Sequence, residues 1–153
     1  IKKVAGGILI QNSNTVSITR DEIEVTSKRA PSEDEVDGML FANKVCKRVM
    51  SNSIIFAKKL EDGSLVTTGI GAGQMSRVDA VWIAAKKGGD KVSGSVMASD
   101  AFLPFPDAAE EAHKAGITAL IHPGGSIRDD VVKEYVDSVD MAMVISGKRL
   151  FRH

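Results

Sequence analysis

Three short stretches carry residues whose types suit binding chemistry. Pro123-Gly124-Gly125-Ser126 puts backbone amides and a hydroxyl at a strand-to-helix junction, equipment for hydrogen-bonding a flat, polar heterocycle. Asp107 follows an aromatic, proline-rich segment and offers a carboxylate that can accept two N–H donors from such a ring. Arg149, near the end of the sequence, offers a guanidinium fork for a phosphate. Cap, turn and surface charge are the plainer readings of the same three features, and periodicity alone favours the plainer readings.

A glycine-rich stretch, Gly69-Ile70-Gly71-Ala72-Gly73-Gln74, invites a nucleotide-loop reading and does not meet it. Gln74 stands where the third glycine of a dinucleotide fingerprint is needed, and no Gly-Lys-Ser/Thr follows for a phosphate loop. Two readings remain. Either this backbone approaches a ligand closely, next to a helix N-terminus that favours an anion, or it is an ordinary tight turn. Of the histidines, His113 sits on a polar helix face, and His153 is terminal. His122 stands before Pro123 at a strand end, where open α/β sheets place ligands, although a lone histidine there is more often structural. The absence of His-x-Glu and Cys-x-x-Cys excludes a zinc deaminase, and the absence of Gly-x-Ser-x-Gly leaves a hydrolase elbow unsupported.

Composition narrows the field further. A length of 153 residues, 43% of them hydrophobic and 26% charged, fits one domain with a sizeable core. Twenty basic residues balance twenty acidic ones, so no net field draws nucleic acid or an anionic membrane. The single cysteine, Cys46, excludes an internal disulfide and suits a reducing cytoplasm. No apolar run approaches the roughly 20 residues that span a bilayer. The sequence starts without an initiator Met, which is consistent with a fragment or a processed piece.

The elements that must position these residues follow from pattern. Strands are expected at Val4–Ile10, Thr15–Ile18 and Asp21–Thr26, with a turn at Gln11–Asn14. Ser32 and Glu35 form a capping box, and the stripe of Val36, Met39, Leu40, Asn43 and Lys47 predicts a helix from about Glu33 to Val49. Ser53–Ala57 and Leu65–Thr68 read as strands paired across a loop containing Asp62-Gly63. Val78, Val81, Trp82 and Ala85 mark a second helix, ended at Lys86–Asp90 by a flexible loop. Val92–Ala98 reads as a buried strand. The prolines of Asp100–Asp107 forbid regular structure, and Phe102, Leu103 and Phe105 make that rigid loop a pocket wall. Helices from Asp107 to Lys114 and from Asp129 to about Val136 then alternate with strands at Ile117–Ile121 and Met141–Ile145. This alternation predicts an α/β layered sheet with helices on both faces and no internal domain boundary.

Several strings, taken in order, resemble the C-terminal part of AICAR transformylase, the formyl-transferring half of a bifunctional purine biosynthesis enzyme. They are Gly6-Gly7-Ile8-Leu9-Ile10-Gln11, Ser51-Asn52-Ser53-Ile54, and the stretch from Gly69 through Gln74-Met75-Ser76-Arg77-Val78. Met97-Ala98-Ser99-Asp100-Ala101-Phe102, Pro104-Phe105, Pro123-Gly124-Gly125-Ser126-Ile127-Arg128-Asp129 and Phe151-Arg152-His153 complete the set. Together they span nearly the whole chain.

The resemblance implies one cytidine-deaminase-like subdomain without zinc, the second of two in the family's transformylase unit. The upstream subdomain and the cyclohydrolase domain lie outside this sequence. The family's reaction moves a formyl group from 10-formyltetrahydrofolate to the 5-amino group of AICAR, giving FAICAR and tetrahydrofolate. By position, Asn52 would bind the AICAR carboxamide region, Phe102 would pack on the aminoimidazole, and Arg149 with the backbone near Phe151 would hold the phosphate. Val78, Pro104, Phe105, Asp107 and the Gly124-Gly125-Ser126 turn would form the folate pocket. A potassium ion is implied near Asp100, Ser53 and the C-terminal tail, and a homodimer with sites at the subunit interface. Two departures stand out. Pro106 occupies a position where many relatives carry Arg, and the family's Lys-His pair, its oxyanion donor and general base, is absent here. The residues therefore imply the binding half of a formyl-transfer site. A stand-alone ribotide- or folate-binding module is the alternative, and a purely structural piece a third.

Overall fold

The computed structural model describes residues 1–10 and 14–152. A six-stranded mixed sheet forms the centre, built from β3 (Glu24–Val25), β4 (Ile54–Lys59), β5 (Leu65–Gly71), β6 (Val96–Ser99), β7 (Ala119–His122) and β8 (Ala142–Ile145). Their spatial order is β3-β8-β7-β6-β4-β5; β6, β7 and β8 run parallel, and β4 is antiparallel to both of its neighbours. Four helices cover it: α1 (Glu33–Cys46), α2 (Arg77–Gly88), α3 (Asp107–Lys114) and α4 (Asp129–Ser138).

Strand alternation splits the core in two. Ile54, Phe56, Met97, Leu120 and Met143 face α2, α3 and α4, whereas Ile55, Ala57, Val96, Ala98, Ile121 and Val144 face α1. The α1 side is rich in alanine, which lets that helix sit close. An added Cβ on Gly38 of α1 would lie 3.0 Å from Val96 Cγ2. The expected layering with helices on both faces is therefore present.

Local chemistry explains the element ends. Both bonds of the α1 capping box form: Ser32 N donates to Glu35 Oε2 at 2.8 Å, and Glu35 N to Ser32 Oγ at 3.2 Å. The helix stops at Cys46 rather than Val49, because the chain tightens there through Arg48 N→Val45 O and Val49 N→Cys46 O bonds. Strand β6 starts at Val96 rather than Val92, since Val92–Ser95 is a turn closed by Ser95 N→Val92 O, with Gly94 at φ +73°. The segment after α2 is a short 3-10 turn, Gly89–Val92, in place of a flexible loop.

The first third departs most from expectation. In place of one strand at Val4–Ile10 there is a small hairpin, β1 (Lys2–Val4) with β2 (Gly7–Leu9), reversed at Gly6 with φ +79°. It forms a sheet of its own and leaves Ile8, Leu9 and Ile10 exposed. The turn expected at Gln11–Asn14 lies mostly outside the described residues. Thr15–Ile18 forms no strand, and Arg20–Glu22 is a 3-10 turn held by Glu22 Oε2, which accepts from Thr19 N at 3.0 Å and Thr19 Oγ1 at 3.1 Å. Only Glu24–Val25 remains as strand, paired with β8 at the sheet edge. Among the described residues no helix is long and apolar enough to cross a membrane.

Candidate functional site

The C-terminal ends of β6, β7 and β8 and the N-terminal end of β4 meet at one edge of the layered core, because Ile54 pairs with Ser99 and His122 with Ile145. The residues that leave those ends include most of the expected ligand residues: Asn52, the Phe102–Asp107 loop, Gly124–Ser126, and Arg149 with Phe151. Open α/β sheets bind ligands at this end, where parallel strands finish and connections diverge.

Asn52 precedes β4 across a cis Ser51–Asn52 peptide. Its Nδ2 donates to the carbonyls of Gln74 at 3.0 Å and Met75 at 3.2 Å, which fixes the side chain and leaves Oδ1 outside those bonds. The C-terminal tail is tied to the same place. Ser51 N donates to Arg152 O at 2.9 Å, and Leu150 N to Asp100 O at 2.8 Å. Arg149 and Phe151 thereby come beside Phe102 and Arg77. The Arg149 guanidinium lies 5.4 Å from the Phe102 ring centre, and that of Arg77 6.0 Å from Phe151.

Beneath this surface lies an ion pair that sequence reasoning missed. Asp100 is fully buried; its Oδ2 accepts from Ser53 N at 3.2 Å, and its Oδ1 lies 3.4 Å from Arg77 Nη2. Arg77 is the first residue of α2, and a cation there opposes the helix dipole. That opposition is the sequence signal that another group demands it. Arg77 already compensates the carboxylate, and both of Asp100's oxygens have partners. Nearby, the buried Cys46 thiol contacts Ser53 Oγ at 3.3 Å, and burial pushes it up to about 12, so it is unreactive.

The second cluster joins the Phe102–Asp107 loop to the turn after β7. Arg128 stacks 4.5 Å over Phe105, and Arg128 N donates to Ser126 Oγ at 3.1 Å. Phe105 is 46% exposed and Ile127 fully exposed, giving an apolar lip. Asp107 is exposed at the start of α3, and its Oδ1 accepts from Ala108 N at 2.8 Å. Val78, half-buried, lies in the first turn of α2 beside Arg77.

The turn amides, expected to be ligand donors, are already used. Gly124 N donates to His122 Nδ1 at 3.3 Å, and Gly125 N and Ser126 N both donate to Asp129 Oδ2, at 2.7 and 3.1 Å. His122 itself is fully buried, and desolvation lowers its pKa to about 4. It is a neutral core residue that no substrate can reach, so it is no candidate for a general base.

The glycine stretch also resolves. Gly69 and Gly71 belong to β5, and what approaches them closely is α2: added Cβ atoms would lie 2.5 Å from Ala84 O and 1.9 Å from Ala80 O. Only Gly73, at φ +66°, serves a turn. A cavity of about 860 Å³ between β5 and α2, lined by Thr67, Ile70, Gln74 and Trp82 among others, contains none of the expected ligand residues.

A family profile described as AICARFT/IMPCHase bienzyme matches residues 1–87. The bifunctional purine biosynthesis protein PurH of Dinoroseobacter shibae is 48% identical over 163 aligned positions, which take in all of this chain and 30% of that relative. The chain thus spans less than a third of the relative's length, and the match carries through the strand-end cluster as well as the profiled region. On these grounds the chain belongs to the AICARFT/IMPCHase bienzyme family.

Proposed function

We propose that this chain supplies the ribotide- and folate-binding half of a formyl-transfer site in de novo purine biosynthesis. The observation that carries the reading is the gathering of Asn52, Phe102, Arg149, Phe151, Phe105, Asp107 and the Gly124–Ser126 turn around one end of the sheet. The relative's printed description, a bifunctional purine biosynthesis protein, supports the same pathway.

The reaction joins a poor nucleophile to an acyl donor. The amine of AICAR is weak because its lone pair is delocalised into the ring and towards the carboxamide. Close placement of amine and formyl carbon, a proton acceptor and donors for the tetrahedral oxyanion are therefore all needed. In this reading the chain performs the placement. Asn52 Oδ1, oriented by the two carbonyls that hold Nδ2, accepts from the carboxamide. Phe102 supplies a flat face for the aminoimidazole, and Arg149 with the backbone near Phe151 receives the phosphate. Val78, Pro104 and Phe105 form the folate wall, and Asp107 accepts the ring N–H donors of the pterin. Proton transfer falls to the Lys-His pair of the upstream transformylase subdomain. The only described histidine near the site, His122, is fully buried.

The exposed apolar residues of the hairpin, Ile8, Leu9 and Ile10, support packing against further protein, either that subdomain or a second copy. The chain alone is accordingly a binder rather than a catalyst. Calorimetric titration of the purified chain with AICAR tests this: Arg149→Ala should weaken binding about tenfold or more, through loss of a charge-assisted phosphate contact. Equal affinity in both proteins would remove Arg149 from the site.

A further inference from the structure

We infer that Asp129 is the positioning residue of the 124–126 turn, and that it turns this segment into a surface of hydrogen-bond acceptors. The inference rests on the folate reading above and deepens it. Gly124 and Gly125 have φ of +70° and +87°, a backbone that curls successive N–H groups towards one point. Such a curl ordinarily makes an anion site. Here the anion is built in: Asp129 Oδ2 accepts from both Gly125 N and Ser126 N, and His122 Nδ1 takes the remaining amide, that of Gly124.

The arrangement is tightly set. An added Cβ on Gly124 would lie 2.9 Å from Ile145 Cγ2 and 3.4 Å from Asp129 Oδ2. Asp129 N in turn donates to Ser126 O at 3.2 Å, so the bonds run both ways between the turn and the start of α4. The carbonyls of Gly124 and Gly125 have no partner among the described residues. With every amide of the turn consumed, and with Ser126 Oγ and O accepting from Arg128 N and Asp129 N, the acceptors left to a ligand are the carbonyl oxygens of Gly124 and Gly125. The turn therefore selects a planar heterocycle edge that carries N–H donors and rejects anionic or acceptor-rich groups. An aminopyrimidinone edge has the required donors.

The test uses the 153-residue chain with Asp129→Ala and Asp129→Asn, amide hydrogen exchange by NMR, and titrations with tetrahydrofolate and with AICAR. Asp129→Ala should speed exchange at Gly125 and Ser126 about tenfold or more, the expected loss for bonds to a charged acceptor. It should also weaken tetrahydrofolate binding about tenfold while leaving AICAR affinity unchanged. Asp129→Asn, which keeps one carbonyl acceptor, should restore most of both. Unchanged exchange at Gly125 and Ser126 in the alanine variant overturns the inference. Equal losses for both ligands overturn it too, by marking Asp129 as a general stability residue. A wild-type chain that binds neither ligand sinks the folate reading, while the exchange measurement still decides the clamp.

Discussion

Gly71→Ala should unfold this chain more readily than almost any other single-methyl change. Gly71 ends β5 where α2 crosses it, and an added Cβ would lie 1.9 Å from Ala80 O and 2.6 Å from Ala80 C. An ordinary contact needs about 3.5 Å, so the helix would have to recede by about 1.5 Å. Both sides of the clash are backbone, and no rotamer change relieves it. Recession also loosens Ala80, Val81 and Ala84, all fully buried against Ile54 and Phe56. Overpacking usually costs about 1–3 kcal/mol, and a backbone clash belongs at the upper end or beyond. At about 3 kcal/mol the melting temperature of a chain this size should drop by about 6–12 °C. Urea unfolding followed by circular dichroism measures it, with Gly7→Ala as control, since nothing lies within 4 Å of a Cβ there. The control should stay within about 0.5 kcal/mol of wild type. A loss under about 1 kcal/mol for Gly71→Ala, or an equal loss in the control, would refute the claim that these glycines exist to admit α2.

Arg77→Met should cost about 3–5 kcal/mol by stranding the buried Asp100 carboxylate, and Arg77→Met combined with Asp100→Asn should recover part of it. Strict additivity in that double-mutant cycle, read by urea unfolding, would mean the two groups do not interact. His122 has a folded pKa of about 4 against an ordinary 6.5, so the unfolded chain takes up this proton first as pH falls. Its contribution is intact above about pH 6.5 and is lost progressively towards pH 4, by up to roughly 3 kcal/mol. His122→Gln should flatten that slope relative to wild type in unfolding curves across the window, and parallel curves would show that His122 is not the group responsible.

How far the sequence reveals this molecule depends on the range of the forces involved. The α1 start was legible because its capping box joins residues three apart, and both bonds form. The alternation of helix and strand patterns along the chain shows the layered α/β class, and the Asp62-Gly63 turn between two strand patterns shows the β4–β5 pairing, because both signals are local. The hairpin at Lys2–Leu9 was missed because a run of apolar residues reads as one strand unless Gly6 is seen to adopt positive φ. Gly69 and Gly71 show a subtler failure. The sequence leaves close approach to a ligand and an ordinary tight turn both open, and only the folded chain reveals that the approaching body is a helix. Arg77 and Asp100 lie 23 residues apart, and nothing in either neighbourhood pairs them. Asp129 looked like a helix start. That it holds the preceding turn depends on two left-handed glycines, whose φ values no local pattern states.

The most direct test of the binding-half account is a formyl-transfer assay with AICAR and 10-formyltetrahydrofolate, reading tetrahydrofolate release. The 153-residue chain is assayed alone and then mixed with a separately purified upstream subdomain that bears the Lys-His pair. The account predicts no turnover by the chain alone, turnover in the mixture, and loss of that turnover with Arg149→Ala. Turnover by the chain alone would place a general base within it, and continued silence of the mixture would leave the chain a binding module; either result contradicts the account.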